Sequence, residues 1–177
     1  MATPAVFEVL RDAAKQPTDE QKAAFLARNG QHYAIKSIMQ GCYNPNVKFL
    51  LPEGAPPYQE ADPTMVETRL YSLSKRFDIF VENGRPVASQ MKREMLYIEL
   101  LESIHPGDAK VVINMANKKD PVEGITMAVA HMAFPNLVPA PIEEKVEKAA
   151  PKTKAAPKTK AKSKTATRTK SKKSVNK

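Results

Sequence analysis

The stretch Ser89-Gln90-Met91-Lys92-Arg93-Glu94-Met95-Leu96-Tyr97-Ile98-Glu99-Leu100-Leu101-Glu102-Ser103-Ile104 decides the fold class. At about 100° per residue, Met91, Met95, Leu96, Tyr97, Ile98, Leu100, Leu101 and Ile104 cover most of a helix circumference. Lys92, Glu99 and Ser103 fall within roughly 40° of one another. So narrow a polar stripe predicts a central, mostly buried helix.

The segments before it also read as helices. Asp62-Pro63 places a proline at a first helical position. Met65, Val66, Leu70, Leu73, Phe77 and Phe80 then follow close to a 3.6-residue period. Glu82-Asn83-Gly84-Arg85-Pro86 is a turn. Nearer the start, Val6, Leu10, Ala13 and Ala14 give a helix over Ala5–Lys15, ended by Pro17. Thr18 reads as an N-cap, with Asp19 and Glu20 in the first turn and Gln21 at the capping-box position. That helix stops at Asn29-Gly30. A third runs from Gln31 to about Gln40 and is closed by Gly41. From Asn44 to Ala61 the chain carries Pro52, Pro56 and Pro57, which exclude regular structure there. This segment is expected to be one long ordered loop pinned by its own apolar side chains, with a short strand over Val47–Leu51 as the alternative.

Downstream, His105-Pro106-Gly107 breaks the chain and Asp108 can cap the next helix. Ala109–Ala116 continues as helix, although Val111-Val112-Ile113 leaves a strand as the alternative. Asn117-Lys118-Lys119-Asp120-Pro121 is a polar loop, and a last helix spans Ile125–Phe134 before Pro135. The expected architecture is all-α: a small bundle of six or seven short helices with a long Pro-rich loop. It occupies residues 1–140. A linker follows over 141–149, and then a disordered basic tail over 150–177.

The charge is divided along the same boundary. The net charge of +9 comes from 28 Lys and Arg against 19 Asp and Glu. Residues 150–177 hold 11 of the basic residues and no acidic one, which leaves 17 basic against 19 acidic before them, a net of −2. The tail also lacks Leu, Ile, Met, Phe and Tyr, and Ala-Ala-Pro-Lys-Thr-Lys occurs at 149–154 and again at 155–160. Such a segment cannot bury enough apolar surface to offset the entropy of ordering, so it is expected to be disordered.

The tail is the strongest functional signal. Lys152, Lys154, Lys158, Lys160, Lys162, Lys164, Lys170 and Lys172 mostly recur at every second residue, which places charges about 6–7 Å apart on an extended chain. Arg168, Lys173 and Lys177 complete the set. Interleaved Thr and Ser can donate to phosphate oxygens. With a single Arg and no aromatic residue, the tail has neither base-reading forks nor stacking platforms. The expected ligand is nucleic acid, duplex DNA bound without sequence preference. No apolar anchor accompanies the charge, so a membrane surface is not expected.

Enzymatic signatures are missing. His32, His105 and His131 form no ligand spacing with one another or with Cys42. There is no nucleophile elbow, P-loop or dinucleotide fingerprint. The expectation is a non-enzyme without catalytic residues, metal or cofactor. His105 and Asp108 are expected to serve the turn and the helix cap, and Cys42 to be a buried small hydrophobe. Lys118 and Lys119 read as a solvated pair that could extend the basic surface of the tail. One cysteine and no signal peptide or membrane-length apolar run point to a soluble intracellular protein. Phe49, Leu51, Pro56, Pro57 and Tyr58 in the Pro-rich loop are candidates for contact with a protein partner, the competing reading being a lid packed on the helices.

Three stretches carry a resemblance. They are Ile38-Met39-Gln40-Gly41-Cys42-Tyr43-Asn44-Pro45-Asn46-Val47-Lys48-Phe49-Leu50-Leu51-Pro52-Glu53-Gly54-Ala55-Pro56-Pro57-Tyr58, Lys92 through Pro106, and Ala133-Phe134-Pro135-Asn136-Leu137. Together they resemble an uncharacterised family of tailed-bacteriophage proteins, found notably in T4-like phages of marine bacteria. The Leu-Pro-Glu-Gly-x-Pro-Pro-Tyr loop is its most distinctive element. The resemblance implies a viral protein at work in the host cytoplasm, on the nucleoid if it holds DNA, and supplies no activity or catalytic residue. The tail is similar in composition to those of linker histones and bacterial histone-like proteins. Two functions follow as expectations. One is a phage accessory protein that binds nucleic acid through its tail while the helical body makes a protein contact. The other is an adaptor that docks to a phage or host complex through the body and the Pro-rich loop, with the tail auxiliary.

Overall fold

Local capping sets the helix boundaries in the computed structural model, which describes residues 4–64, 66, 69–87 and 89–141. Helix α1 spans Val6–Ala14, and the Glu8 carboxylate reaches back to accept from the Ala5 N–H at 2.9 Å. Helix α2 spans Asp19–Arg28, and Thr18 Oγ1 accepts from the Gln21 N–H, the predicted N-cap. Helix α3 spans Tyr33–Tyr43. Helix α4 is a single turn, Leu70–Leu73, continued by a 3-10 helix over Ser74–Ile79. Helix α5 spans Gln90–Ser103 with Ser89 as N-cap, α6 spans Pro106–Ala116, and α7 spans Met127–Ala133 with Thr126 as N-cap. The fold is all-α, as expected. Among the described residues the only β-pairing is an isolated antiparallel bridge, Phe49 with Val81.

The core lies where α1, α2 and α3 meet α6 and α7. Helix α2 packs on α7, α1 on α2 and α6, and α3 on α6 and on the α4 to 3-10 segment. Leu10, Leu26, Ile35, Ile38, Leu101, Ile104, Ile125 and Val129 are fully buried there. Helix α5 packs on α6 and contributes Tyr97, Leu100 and Leu101.

Five local expectations are corrected. First, Asp62 starts no long helix. Its carboxylate accepts from both the N–H and the hydroxyl of Thr64, a side-chain turn that competes with helix. Among the described residues regular structure then begins at Leu70, and Met65 lies outside them. The 3-10 helix then brings Ser74, Phe77 and Phe80 to the core at three-residue spacing, as its geometry requires. Second, Gly41 does not close α3. It is a point of close approach, where a Cβ would stand 2.6 Å from Cγ and Sδ of Met115 on α6. Third, α5 is not buried all round: Met91 is 73% and Met95 56% exposed. Arg93, Glu94 and Glu102 widen the polar arc beyond Lys92, Glu99 and Ser103, so the helix is an outer one. Fourth, α6 starts at Pro106, and its N-cap is His105 rather than Asp108. Its β-branched run is helical because Val111 and Val112 are buried, and packing outweighs propensity. Fifth, α7 is shorter than expected, with Ile125 buried ahead of its cap.

Candidate functional site

The Pro-rich loop is the longest irregular segment described, and it is held at several points. Leu50 N–H donates to Phe80 O at 2.7 Å, and Glu82 N–H donates to Lys48 O at 2.9 Å. Gly54, at φ +92°, is clamped by one side chain: its N–H donates to Asn117 Oδ1 at 2.7 Å and its carbonyl accepts from Asn117 Nδ2 at 3.0 Å. Further on, Gln59 N–H donates to Glu102 Oε1 at 3.1 Å on α5. Of the candidate partner residues, Phe49, Leu51 and Tyr58 are half-buried against the core, Pro56 is partly covered and Pro57 is exposed. The loop therefore lies as a lid on the helices, and only part of it is free for a partner. Between residues 45–54 and the end of α6 it leaves a hollow of about 600 Å³. Phe49 and Leu51 supply its apolar wall, and Lys48, Lys118 and Lys119 line it together with the carboxylate of Glu53.

Lys118 is exposed, like Lys119, but its ammonium is not the free surface charge that its sequence context predicts. It adopts a left-handed backbone, φ +56°, uncommon for a residue with a side chain. This turns its ammonium under the end of α3, where Nζ donates to Gly41 O at 2.6 Å and Asn44 O at 2.9 Å. The charge sits 5.3 Å from the centroid of the Phe49 ring. An ammonium at this position satisfies carbonyls that the helix leaves open and complements its negative end. Burial pulls the amine below the usual lysine range. Lys118 thus ties α6, α3 and the Pro-rich loop together, and the exposed Lys119 is the partner left to solvent. Nothing in the polar run 117–121 marks this role, because the signal lies in a backbone conformation usually reserved for glycine. Beside it, the Tyr43 hydroxyl lies 2.9 Å from Asp120 Oδ1 and 2.5 Å from Ile125 O, so its one proton serves two acceptors. Burial, with the Asp120 carboxylate adjoining, pushes that phenol well above its usual range.

Among the described residues the titratable side chains lie apart from one another, each in its own local contacts. His105 Nδ1 accepts from the Gly107 N–H at 3.0 Å, and its ring stacks on Phe7 at 4.7 Å. A Cβ on Gly107 would fall 2.5 Å from the Phe7 ring, so the glycine permits this stacking. Asp108 points away from its own helix. Its Oδ1 accepts from the Phe7 N–H at 2.7 Å, which makes it a cap for α1 contributed by α6. Cys42 is buried, and desolvation pushes its thiol up to about 12, far from a reactive thiolate. His131 Nδ1 lies 2.8 Å from Val138 O, and the His32 ring lies 4.8 Å from that of Tyr71. No three His, Cys, Asp or Glu side chains cluster for a metal among the described residues. No described helix is long and apolar enough to cross a membrane.

Asp108 carries a testable pH dependence. Only 3% exposed, it is pushed up to about 6 by burial, against the lowering influence of the Phe7 N–H and His105. The unfolded carboxyl loses its proton near 3.8 while the folded one keeps it to about 6, so this group's stabilisation falls as pH rises through that window. The whole change is at most about 3 kcal/mol. Urea unfolding at pH 4.5 and pH 7 should show the wild type losing about two-thirds of this change, about 2 kcal/mol, and Asp108→Asn not losing it. Equal pH profiles for the two proteins would place the proton elsewhere.

The predicted nucleic-acid residues Lys152, Lys154, Lys158, Lys160, Lys162, Lys164, Arg168, Lys170, Lys172, Lys173 and Lys177 all lie outside the described residues. The same is true of the expected linker beyond Pro141 and of the expected disorder. Comparison with known proteins gives one family match: residues 9–120 fit the model of a family of unknown function, DUF6433. No curated protein and no solved structure matches the chain. The matched span runs from within α1 to the loop after α6, so it takes in the Pro-rich loop and Lys118 and stops short of the basic segment.

Proposed function

We propose, for a chain that belongs to the DUF6433 family of unknown function, a non-enzymatic role as a phage accessory protein that binds nucleic acid. The Lys-rich segment 150–177 holds duplex DNA without sequence preference, and the helical body makes a protein contact. The site of action is the host cytoplasm, at the nucleoid. One observation carries this reading: 11 basic residues and no acidic residue in 28, attached to a body of net charge −2. A tail that served only solubility would tolerate acidic residues, whereas one that displaces counterions from phosphates gains from excluding them. The body, faintly acidic, adds no long-range attraction for DNA of its own.

The test is a salt titration by fluorescence anisotropy on two unrelated duplexes of equal length, with the full chain and a chain ending at Ala149. The full chain should bind both duplexes within a few-fold of each other, and the truncated chain should lose most of the affinity. Equal binding by the two proteins would move the nucleic-acid element into the body.

A second reading is supported by a separate observation, the hollow that Phe49 and Leu51 share with Lys48 and Lys119. There the protein is an adaptor that docks to a phage or host complex through the Pro-rich loop, and the tail only concentrates it on DNA. Capture from infected cells, with nuclease present, separates the two. An adaptor keeps its complex after loss of 150–177, and a tail-driven protein does not.

A further inference from the structure

We propose that the outer face of α5 is a self-association surface, on which a second copy of this chain docks antiparallel, helix against helix. Met91 and Met95 stand one turn apart on this helix and are 73% and 56% exposed. Four-residue spacing makes them neighbours on one face, and the half-buried Ile98 continues the line. Isolated exposed apolar side chains need no explanation. Here, however, they align on a helix whose opposite side already fills the core with Leu100 and Leu101.

The charges choose the occupant and its direction. Lys92 and Glu99 lie seven residues apart, two turns along the same edge of α5. Among the described residues neither side chain has a hydrogen-bond or ion-pair partner. A twofold axis passing between Met95 and Leu96 sets Lys92 of each copy opposite Glu99 of the other. A parallel twofold would carry this edge of the two copies to opposite sides of the interface and form neither pair. The face is therefore complementary to itself in the antiparallel orientation, the property an isologous interface needs. The chain's own basic segment fits poorly as an occupant: residues 150–177 hold no large apolar side chain for the methionines and no carboxylate for Lys92. A 14-residue helix offers a face of about 21 Å, less than a standard interface requires, so the dimer is weak and concentration-dependent. The proposed dimer uses no contact from residues 150–177, so it stands apart from the nucleic-acid reading.

Sedimentation equilibrium of the nuclease-treated full chain tests it, from micromolar concentration upward. The mass should climb from 19.6 kDa towards twice that value. Lys92→Glu should weaken association roughly tenfold, by removing two attractive pairs and creating two repulsive ones. Adding Glu99→Lys to that variant should restore it, because the pairs are then only exchanged. Met95→Ser should hold the chain as a monomer with an unchanged thermal melt, since the side chain is exposed. A wild-type chain that remains at 19.6 kDa throughout overturns the proposal. So does a dimer that Lys92→Glu and Met95→Ser leave intact, or one that the double exchange fails to restore.

Discussion

Replacing every Lys and Arg of residues 150–177 with Gln is expected to flatten the salt dependence of DNA binding almost completely. Each phosphate neutralised by a cationic side chain releases condensed counterions and adds about −0.9 to the slope of log K against log salt. If all 11 basic residues engaged together, the slope would reach roughly −10. Eleven side chains spread over 28 residues are not all engaged at once, so about −5 to −8 is expected. Between 50 and 200 mM salt such a slope means a loss of about 10³–10⁵ in affinity. The Gln chain keeps the length, and its slope should approach zero. It separates charge from mere reach, which truncation cannot do. Retention of a slope steeper than about −3 by the Gln variant would show that the body supplies phosphate contacts. Lys48 and Lys119, which line the hollow under the Pro-rich loop, would be the first residues to substitute next.

Leu101→Ala is expected to cost about 2–5 kcal/mol of folding stability. Leu101 is 0% exposed, on the one side of α5 that reaches the core, and lies close in sequence to the buried Tyr97, Leu100 and Ile104. Shortening it removes apolar burial and leaves a cavity that the surrounding helices fill only in part. For a single domain with a margin of about 5–15 kcal/mol that is a large fraction. Met95→Ala on the opposite face should change stability by less than about 0.5 kcal/mol. Urea midpoints at constant slope read both values. A cost below about 1 kcal/mol for Leu101→Ala would mean that α5 is not anchored as described.

What the sequence disclosed follows from the range of the interactions involved. Thr18 was legible as a cap because the cap and its N–H lie three residues apart. The all-α class was legible because apolar spacing reports the face that a segment buries. The same spacing over 65–80 named Leu70, Phe77 and Phe80 as core residues, yet it could not register the Asp62 turn or the passage into a 3-10 helix. Gly41 was read as a terminator because a one-dimensional pattern holds no trace of Met115 on another helix. His105 and Asp108 exchanged expected roles for the same reason: the group that Asp108 caps is 101 residues away. Of the candidate sites, the basic segment declares itself by composition alone. The roles of Lys118 and Asn117 depend on a backbone turn and on a loop 63 or more residues distant, and no local pattern encodes either.

The bond from Asp108 to Phe7 also sets an order of assembly. Among the described helices α1 is made first, but the carboxylate that caps it is synthesised 101 residues later. Bringing the two ends together costs about 4 kcal/mol of chain entropy, apart from a constant. Until α6 has been made, the first turn of α1 has open N–H groups and Phe7 has no imidazole to stack on. The first turn of α1 is therefore completed only once the sixth helix has been made, although α2, the other helix that α1 packs on, follows it directly.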